Sequence, residues 1–188
     1  LAKIDIGPKL PPLARFEEEL VKFAQLKTNI AALKTPVDIH WLRINAQPVK
    51  VHLVQCASKW EQQYASFLQE FVEARISSVG DFIERVGQGL KNSPADHPED
   101  EKLLYSRMTD IRDVKLAMNA IRKLFAPLRD QLALLKKFNV PVAEETIAAL
   151  ETMPARWEEV LRSAFDEKEK ILPLQTAEMQ KIKKQIDG

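Results

Sequence analysis

Residues 72–90 read VEARISSVGDFIERVGQGL, and within them Val72, Ile76, Val79, Ile83, Val86 and Leu90 recur at alternating steps of four and three. That spacing sets six apolar side chains on one face of a helix, because an α-helix brings every third and fourth residue to the same side. The run continues an earlier stripe of Leu53, Ala57, Trp60, Tyr64, Phe67 and Phe71, one residue out of phase. The seam therefore rotates along the helix, and its partner must wrap or change midway. Gly80 costs about 1 kcal/mol relative to alanine, too little to end such a run. With Pro48 opening it, a helix over 48–90 is on the order of 60 Å long at about 1.5 Å per residue.

A second stripe of matching length follows: Leu104, Met108, Ile111, Lys115, Met118, Ile121, Phe125, Leu128, Leu132 and Leu135, closing near Phe138 with Asn139 as its cap. Between the two, residues 91–100 hold Pro94 and Pro98 and form a polar turn. Two long helices joined by a short loop most economically make an antiparallel hairpin. Pro127 lies inside the second helix (101–139), where it removes a donor and clashes with the carbonyl of Lys123, so a kink is expected.

Flanking elements complete the chain. Residues 1–12 form an extended lead-in, and Leu13, Phe16, Leu20, Phe23, Leu26, Ile30 and Leu33 mark a helix over 13–34. The stretch 35–47 alternates Val37, Ile39 and Trp41 and reads as an extended strap, with Trp41 stapling it to the helices. A short helix over 144–152 follows Pro141, and Pro154 begins an exit helix over 154–188, with Trp157, Leu161, Ala164 and Phe165 inward and a kink at Pro173. Helix lengths differ too much for a regular repeat. The fold class is all-α: an elongated antiparallel helical bundle with two long hairpin helices, flanking helices and proline kinks, read as one segment over 1–188. Trp60 and Trp157 on these stripes are expected in the core, each costing roughly 3–5 kcal/mol on truncation to alanine.

Composition agrees. Glycine occurs only 5 times in 188 residues and 29% of residues are charged, which favours helices over turn-rich sheets. With 28 basic and 27 acidic residues, the net charge of +1 gives no field to draw nucleic acid or an anionic membrane. No apolar run approaches the roughly 20 residues that span a bilayer. The single Cys56 cannot form an internal disulfide and reads as a core thiol in a reducing compartment. Because the chain opens on Leu1 rather than methionine and closes inside a helical pattern, it is expected to be a piece of a longer polypeptide.

Chemistry-bearing patterns are weak throughout. Asp96, His97, Glu99, Asp100 and Glu101 crowd the turn but lack the rigid geometry of a zinc site and the glycine-centred oxygens of a calcium loop. His40 and His52 flank apolar residues, as structural histidines do. Gly87, Gln88, Gly89, Leu90 and Lys91 end a helix instead of following a strand, so they cradle no phosphate. His52 precedes Cys56 by one helical turn and could lower its thiol pKa, yet no oxyanion donor accompanies the pair. The stripe Trp60, Tyr64, Phe67 and Phe71 lacks the interleaved arginines of a base-stacking platform, and Lys181 to Lys184 reads as a solvated basic face. We therefore expect no catalytic residue, no metal site and no cofactor.

The run His40-Trp41-Leu42-Arg43-Ile44-Asn45-Ala46-Gln47-Pro48-Val49-Lys50 resembles a tryptophan-leucine-arginine segment of dynein heavy chains, especially the axonemal ones. Three further segments follow in that family's order: Phe125-Ala126-Pro127-Leu128 with Leu134-Leu135-Lys136, then Glu151 with Met153-Pro154 and Trp157, then Pro173-Leu174-Gln175 with Glu178. The resemblance covers about residues 36–184. It implies a place in the tail, or stem, just before the linker, in a ciliary or flagellar isoform located in the cytoplasm, cytoskeleton and axoneme. In that family the tail is a chain of helical bundles that carries intermediate and light chains, holds neighbouring heavy chains together and anchors the motor. ATP hydrolysis belongs to other regions, and the family's nucleotide-binding motifs have no counterpart here. The expected role is a non-catalytic structural stem segment for force transmission and assembly. Its expected partners are other dynein subunits, with no nucleic acid, membrane or small-molecule substrate. A spectrin-like or tethering-type interaction module would share the composition; the strap around Trp41 and the unequal helices argue against it.

Overall fold

The structure, a computed structural model, describes residues 12–94 and 100–186. Four helices and one small hairpin follow in order: α1 (Leu13–Ala32), β1 (Val37–Ile39), β2 (Leu42–Ile44), α2 (Gln47–Lys91), α3 (Glu101–Lys137) and α4 (Glu144–Ile186). The all-α reading and the two long central helices hold. The described residues pack as two compact units, one of 12–74 with 130–142, the other of 75–94, 100–129 and 143–186, and the expected extended lead-in before Pro12 lies outside the described residues. Their division falls inside α2 and α3, where no linker composition marks it.

In the first unit, α1 lies antiparallel on the opening half of α2. Phe16 meets Tyr64 at 4.8 Å and Phe67 at 6.3 Å between ring centroids. Further along, Lys27 pairs with Glu61, and Lys50 Nζ donates to the Leu33 carbonyl at 2.9 Å. The buried face is Phe16, Leu20 and Ile30 from α1 with Ala57, Ala65, Leu68 and Val72 from α2, completed by Leu132, Leu134 and Leu135 of α3. Lys137 reaches Glu17 at 2.5 Å to tie the end of α3 to the start of α1. As expected, Asn139 ends α3: it adopts a left-handed φ of 54°, and Val140 N–H bonds the Leu135 carbonyl at 3.0 Å, which satisfies an otherwise orphaned acceptor.

The strap is not a single extended connector. It is a β-hairpin pairing Val37 with Ile44, Asp38 with Arg43 and Ile39 with Leu42. His40, at φ 53°, and Trp41 form its two-residue turn. That turn position points Trp41 away from the helices, and its side chain is 91% exposed, so the expected staple does not exist. The Thr35–Pro36 peptide is cis.

The second unit is a three-helix bundle. Gly80 faces Met153, Gly87 faces Val160 and Ser93 meets Glu167, so α4 runs parallel to α2 at an almost constant offset. α3 returns antiparallel: Gly89 faces Arg107 and Asp110, while Arg122 pairs with Glu158 and Lys181 with Glu101. Buried residues follow heptads on each helix: Ile76, Val79, Ile83, Val86 and Leu90 on α2, and Leu150, Met153, Trp157, Val160, Ala164 and Ile171 on α4. On α3 the buried positions are Leu104, Arg107, Val114, Ala117, Ile121, Phe125 and Leu128. This is knobs-into-holes spacing. Glycine at 80 and 87 lets the α4 side chains approach to 3.2 Å of where a Cβ would stand.

Several expected placements move. On α3, Arg107 and Val114 are buried where Met108 and Lys115 were expected inward. Pro154 does not begin a helix, because α4 runs through both Pro154 and Pro173, and the short helix over 144–152 is its first turns. Burying Leu150, Met153 and Trp157 around Pro154 offsets the roughly 3 kcal/mol that an interior proline costs. Pro127 lies inside α3 and Pro173 inside α4, as the stripes on either side of them imply. Phe165 and Trp60 are exposed, not core, and Cys56 is half-buried. Of the expected turn, residues 95–99 lie outside the described residues, and Ser93 and Pro94 before them are buried.

Trp157, fully buried beside Phe82 at 6.1 Å, and Trp60, 62% exposed, should respond oppositely to truncation. In urea denaturation Trp157→Ala is expected to cost about 3–5 kcal/mol and Trp60→Ala about 0.5 kcal/mol; equal losses would contradict this packing.

Candidate functional site

Charged side chains leave solvent at one end of the three-helix unit. Arg107, 8% exposed, occupies a core position of α3, and its Nη1 donates to Asp110 Oδ2 at 2.7 Å, one turn along the same helix. Both groups lie against Gly89, where a Cβ would stand 2.5 Å from Arg107 Nη1 and 2.6 Å from Asp110 Oδ2. A side chain at this position of α2 would make the tips of Arg107 and Asp110 shift. Burial pushes the Asp110 carboxyl above its ordinary value, while Arg107 and then Arg85 pull it back.

Glu167, only 3% exposed, takes a heptad position of α4, where the neighbouring turns carry Ala164 and Ile171. Its Oε1 accepts from the hydroxyl of buried Ser93 just beyond α2, and its Oε2 faces Lys170 Nζ at 3.4 Å. The layer thus balances Arg107 with Asp110 and Glu167 with Lys170. Buried ions cost several kcal/mol each unless paired, and single polar positions in coiled-coil seams specify register at some cost in stability. Sliding α4 by one heptad would separate Glu167 from Ser93 and bury it against apolar residues. These pairs are satisfied in the observed alignment of α2, α3 and α4.

The residues weighed from sequence fall elsewhere. His52 Nε2 and Cys56 Sγ approach to 3.6 Å on the surface of α2, where an α-helix supplies no strained turn for a nucleophile. His40 sits in the hairpin turn. Asp96, His97 and Glu99 lie outside the described residues; Asp100 Oδ1 caps α3 by accepting from Leu103 N–H at 3.1 Å, and Glu101 pairs with Lys181 at 2.7 Å. Among the described residues no group of three or more histidine, cysteine or carboxylate side chains could hold a metal ion. Gly87 and Gly89 lie inside α2, packed on Val160 and on the Arg107 pair. A groove of about 460 Å³ between α2 and α4 is lined by Lys91, Arg156 and Lys170 against Glu84, Glu159 and Asp166, a mixed charge that selects no ligand of one sign. No described helix is long and apolar enough to cross a membrane. The sequence reading missed the Arg107 and Glu167 layer; its signal was present as two charged residues standing in otherwise apolar four-three spacing.

Comparison with known proteins agrees with this architecture. Residues 62–186 match the family described as dynein axonemal heavy chain 2/5/8 coiled-coil, a span that takes in all of α3 and α4. The flagellar outer-arm dynein beta chain of Chlamydomonas reinhardtii is 26% identical over 204 aligned residues, covering 95% of this chain. Dynein axonemal heavy chain 11 of Sus scrofa is 27% identical over 98% of this chain, and dynein axonemal heavy chain 2 of Homo sapiens is 20% identical over 85%. The chain spans about 4% of the length of each of these relatives.

Removing one member of the buried pair strands the other. Asp110→Ala is expected to destabilise by about 3 kcal/mol, and Asp110→Ala with Arg107→Met to recover most of that loss. Thermal melts of the three chains check it; a double variant no more stable than the single one would contradict the assignment.

Proposed function

The chain belongs to the dynein axonemal heavy chain 2/5/8 coiled-coil family, and from that premise we propose that it acts as a stem segment that carries load and supports assembly. It is a coiled-coil region, not a catalytic domain. In this reading the ATPase of the parent motor lies elsewhere in the polypeptide, and the segment works at the ciliary or flagellar axoneme beside other dynein subunits: a neighbouring heavy chain, intermediate or light chains. The names of the relatives, flagellar and axonemal alike, support that location.

The observation that carries the mechanical part is the direction of the helices in the second unit. Because α4 runs parallel to α2 and α3 returns between them, the start of this unit in α2 and its exit in α4 lie at opposite ends. Tension applied along the chain therefore shears α2 against α4, loading every heptad contact from Gly80–Met153 to Ser93–Glu167 together. An antiparallel pair pulled from one end would instead open contact by contact. Shear also works directly against the Glu167 register lock, since sliding strands a buried carboxylate.

Optical-trap pulling tests this. In a Cys56→Ser background, handles at Ser77→Cys and Lys183→Cys apply shear, and handles at Ser77→Cys and Lys123→Cys apply unzipping; all three attachment positions are exposed. Shear is expected to require severalfold higher force and to end in a single cooperative step. Equal forces in both geometries would overturn the load-bearing reading.

A further inference from the structure

The hairpin end of the first unit exposes a concentration of apolar surface that its own helices leave largely uncovered, Phe67 keeping one contact with Phe16. Leu53, Trp60 and Phe67 on α2 stand at seven-residue steps and are exposed, with Val49 and half-buried Cys56 in the intervening seam positions. This is a second heptad stripe on a helix whose other face, Ala57, Ala65, Leu68 and Val72, is already buried against its own unit. Beyond Phe67 the same positions become Ala74, Asp81 and Gln88, so the apolar stripe stops after about five helical turns. At its start stands the hairpin, with Trp41 at the tip and Val37, Ile39, Leu42 and Ile44 all exposed. An isolated two-stranded hairpin is marginally stable, and open edges carrying apolar side chains invite a partner.

Charge says what kind. Residues 33–60 hold Lys34, Arg43, Lys50 and Lys59 against one carboxylate, Asp38, which Arg43 already engages at 2.8 Å. Lys34, Lys50 and Lys59 have no carboxylate partner among the described residues, while the whole chain is nearly neutral. Past the stripe's midpoint comes Glu61, which Lys27 engages, and beyond its end stand Glu70 and Glu73. We infer that this face docks a single amphipathic helix of a partner subunit, one with heptad-spaced apolar residues and with carboxylates flanking the end that lies over Lys34, Lys50 and Lys59. A second copy of this chain fits poorly, since facing copies across Trp60 brings the two Lys59 side chains together. A lipid surface would need no seven-residue spacing. This deepens the assembly half of the stem reading and rests on it; the load-bearing half depends on the other unit and is read by a different measurement.

The test uses the full chain and two labelled synthetic peptides of about four heptads, both with leucine at the seam positions, one flanked by glutamate and the other by lysine. Fluorescence anisotropy is expected to show binding of the glutamate peptide, weakened at least about tenfold by Lys59→Glu and by Trp60→Ala. The emission of Trp41 and Trp60 should shift to the blue on binding. Both substituted side chains are exposed, so unchanged melting curves serve as the folding control. Equal affinity for the lysine peptide, indifference to both substitutions, or sedimentation with phosphatidylserine vesicles in place of peptide binding would each overturn the proposal.

Discussion

The fixed register between α2 and α4 is the constraint on which the second unit depends. Two parallel helices with heptad seams can slide by seven residues and meet equivalent apolar positions again, so hydrophobic burial alone leaves their alignment open. Two features close that choice. Gly80 and Gly87 accept Met153 and Val160 at 3.2 Å from where a Cβ would stand, a tight fit at the aligned positions. At the far end, Glu167 is buried against Ser93 and Lys170, and Arg107 is buried against Asp110 and the bare backbone at Gly89. Such a layer lowers stability compared with a wholly apolar core and raises the cost of every misaligned alternative.

The first unit follows different physics. Its buried aliphatic face is edged by an aromatic cluster of buried Phe16 with half-buried Phe23 and Tyr64, and by the Lys27–Glu61 pair. There the packed face of α2 is Ala57, Ala65, Leu68 and Val72, and Leu53, Trp60 and Phe67 on its other side are exposed. One helix thus serves two purposes: its latter half is committed to a self-contained bundle, and its opening half keeps a face available.

Much of this was legible in the sequence where periodicity and end signals agree. The α2 stripe from Val72 to Leu90, the limits of α3 and the Asn139 cap follow from spacing and from a residue tolerant of positive φ. The misses share one cause, the equation of hydrophobicity with burial. Trp41 and Trp60 are large and apolar yet exposed, while Arg107 and Glu167 are charged yet buried. On α3 the buried seam runs one residue before the expected stripe at two places, with Arg107 and Val114 buried in place of Met108 and Lys115, and on α4 Glu167 is buried while Phe165 is exposed. The hairpin was hidden because His40-Trp41 carries none of the glycine or asparagine that usually announces a two-residue turn. Proline misled at Pro154, where the burial of its heptad neighbours outweighs the missing backbone bond.

Disulfide trapping between α2 and α4 tests the register most directly. In a Cys56→Ser background, Gly80→Cys with Met153→Cys pairs aligned positions, whereas Gly80→Cys with Val160→Cys pairs positions one heptad apart. The fixed alignment predicts rapid oxidation of the first pair under mild oxidant and none of the second. Equal trapping of both would show helices that slide, and would contradict the account of a locked seam.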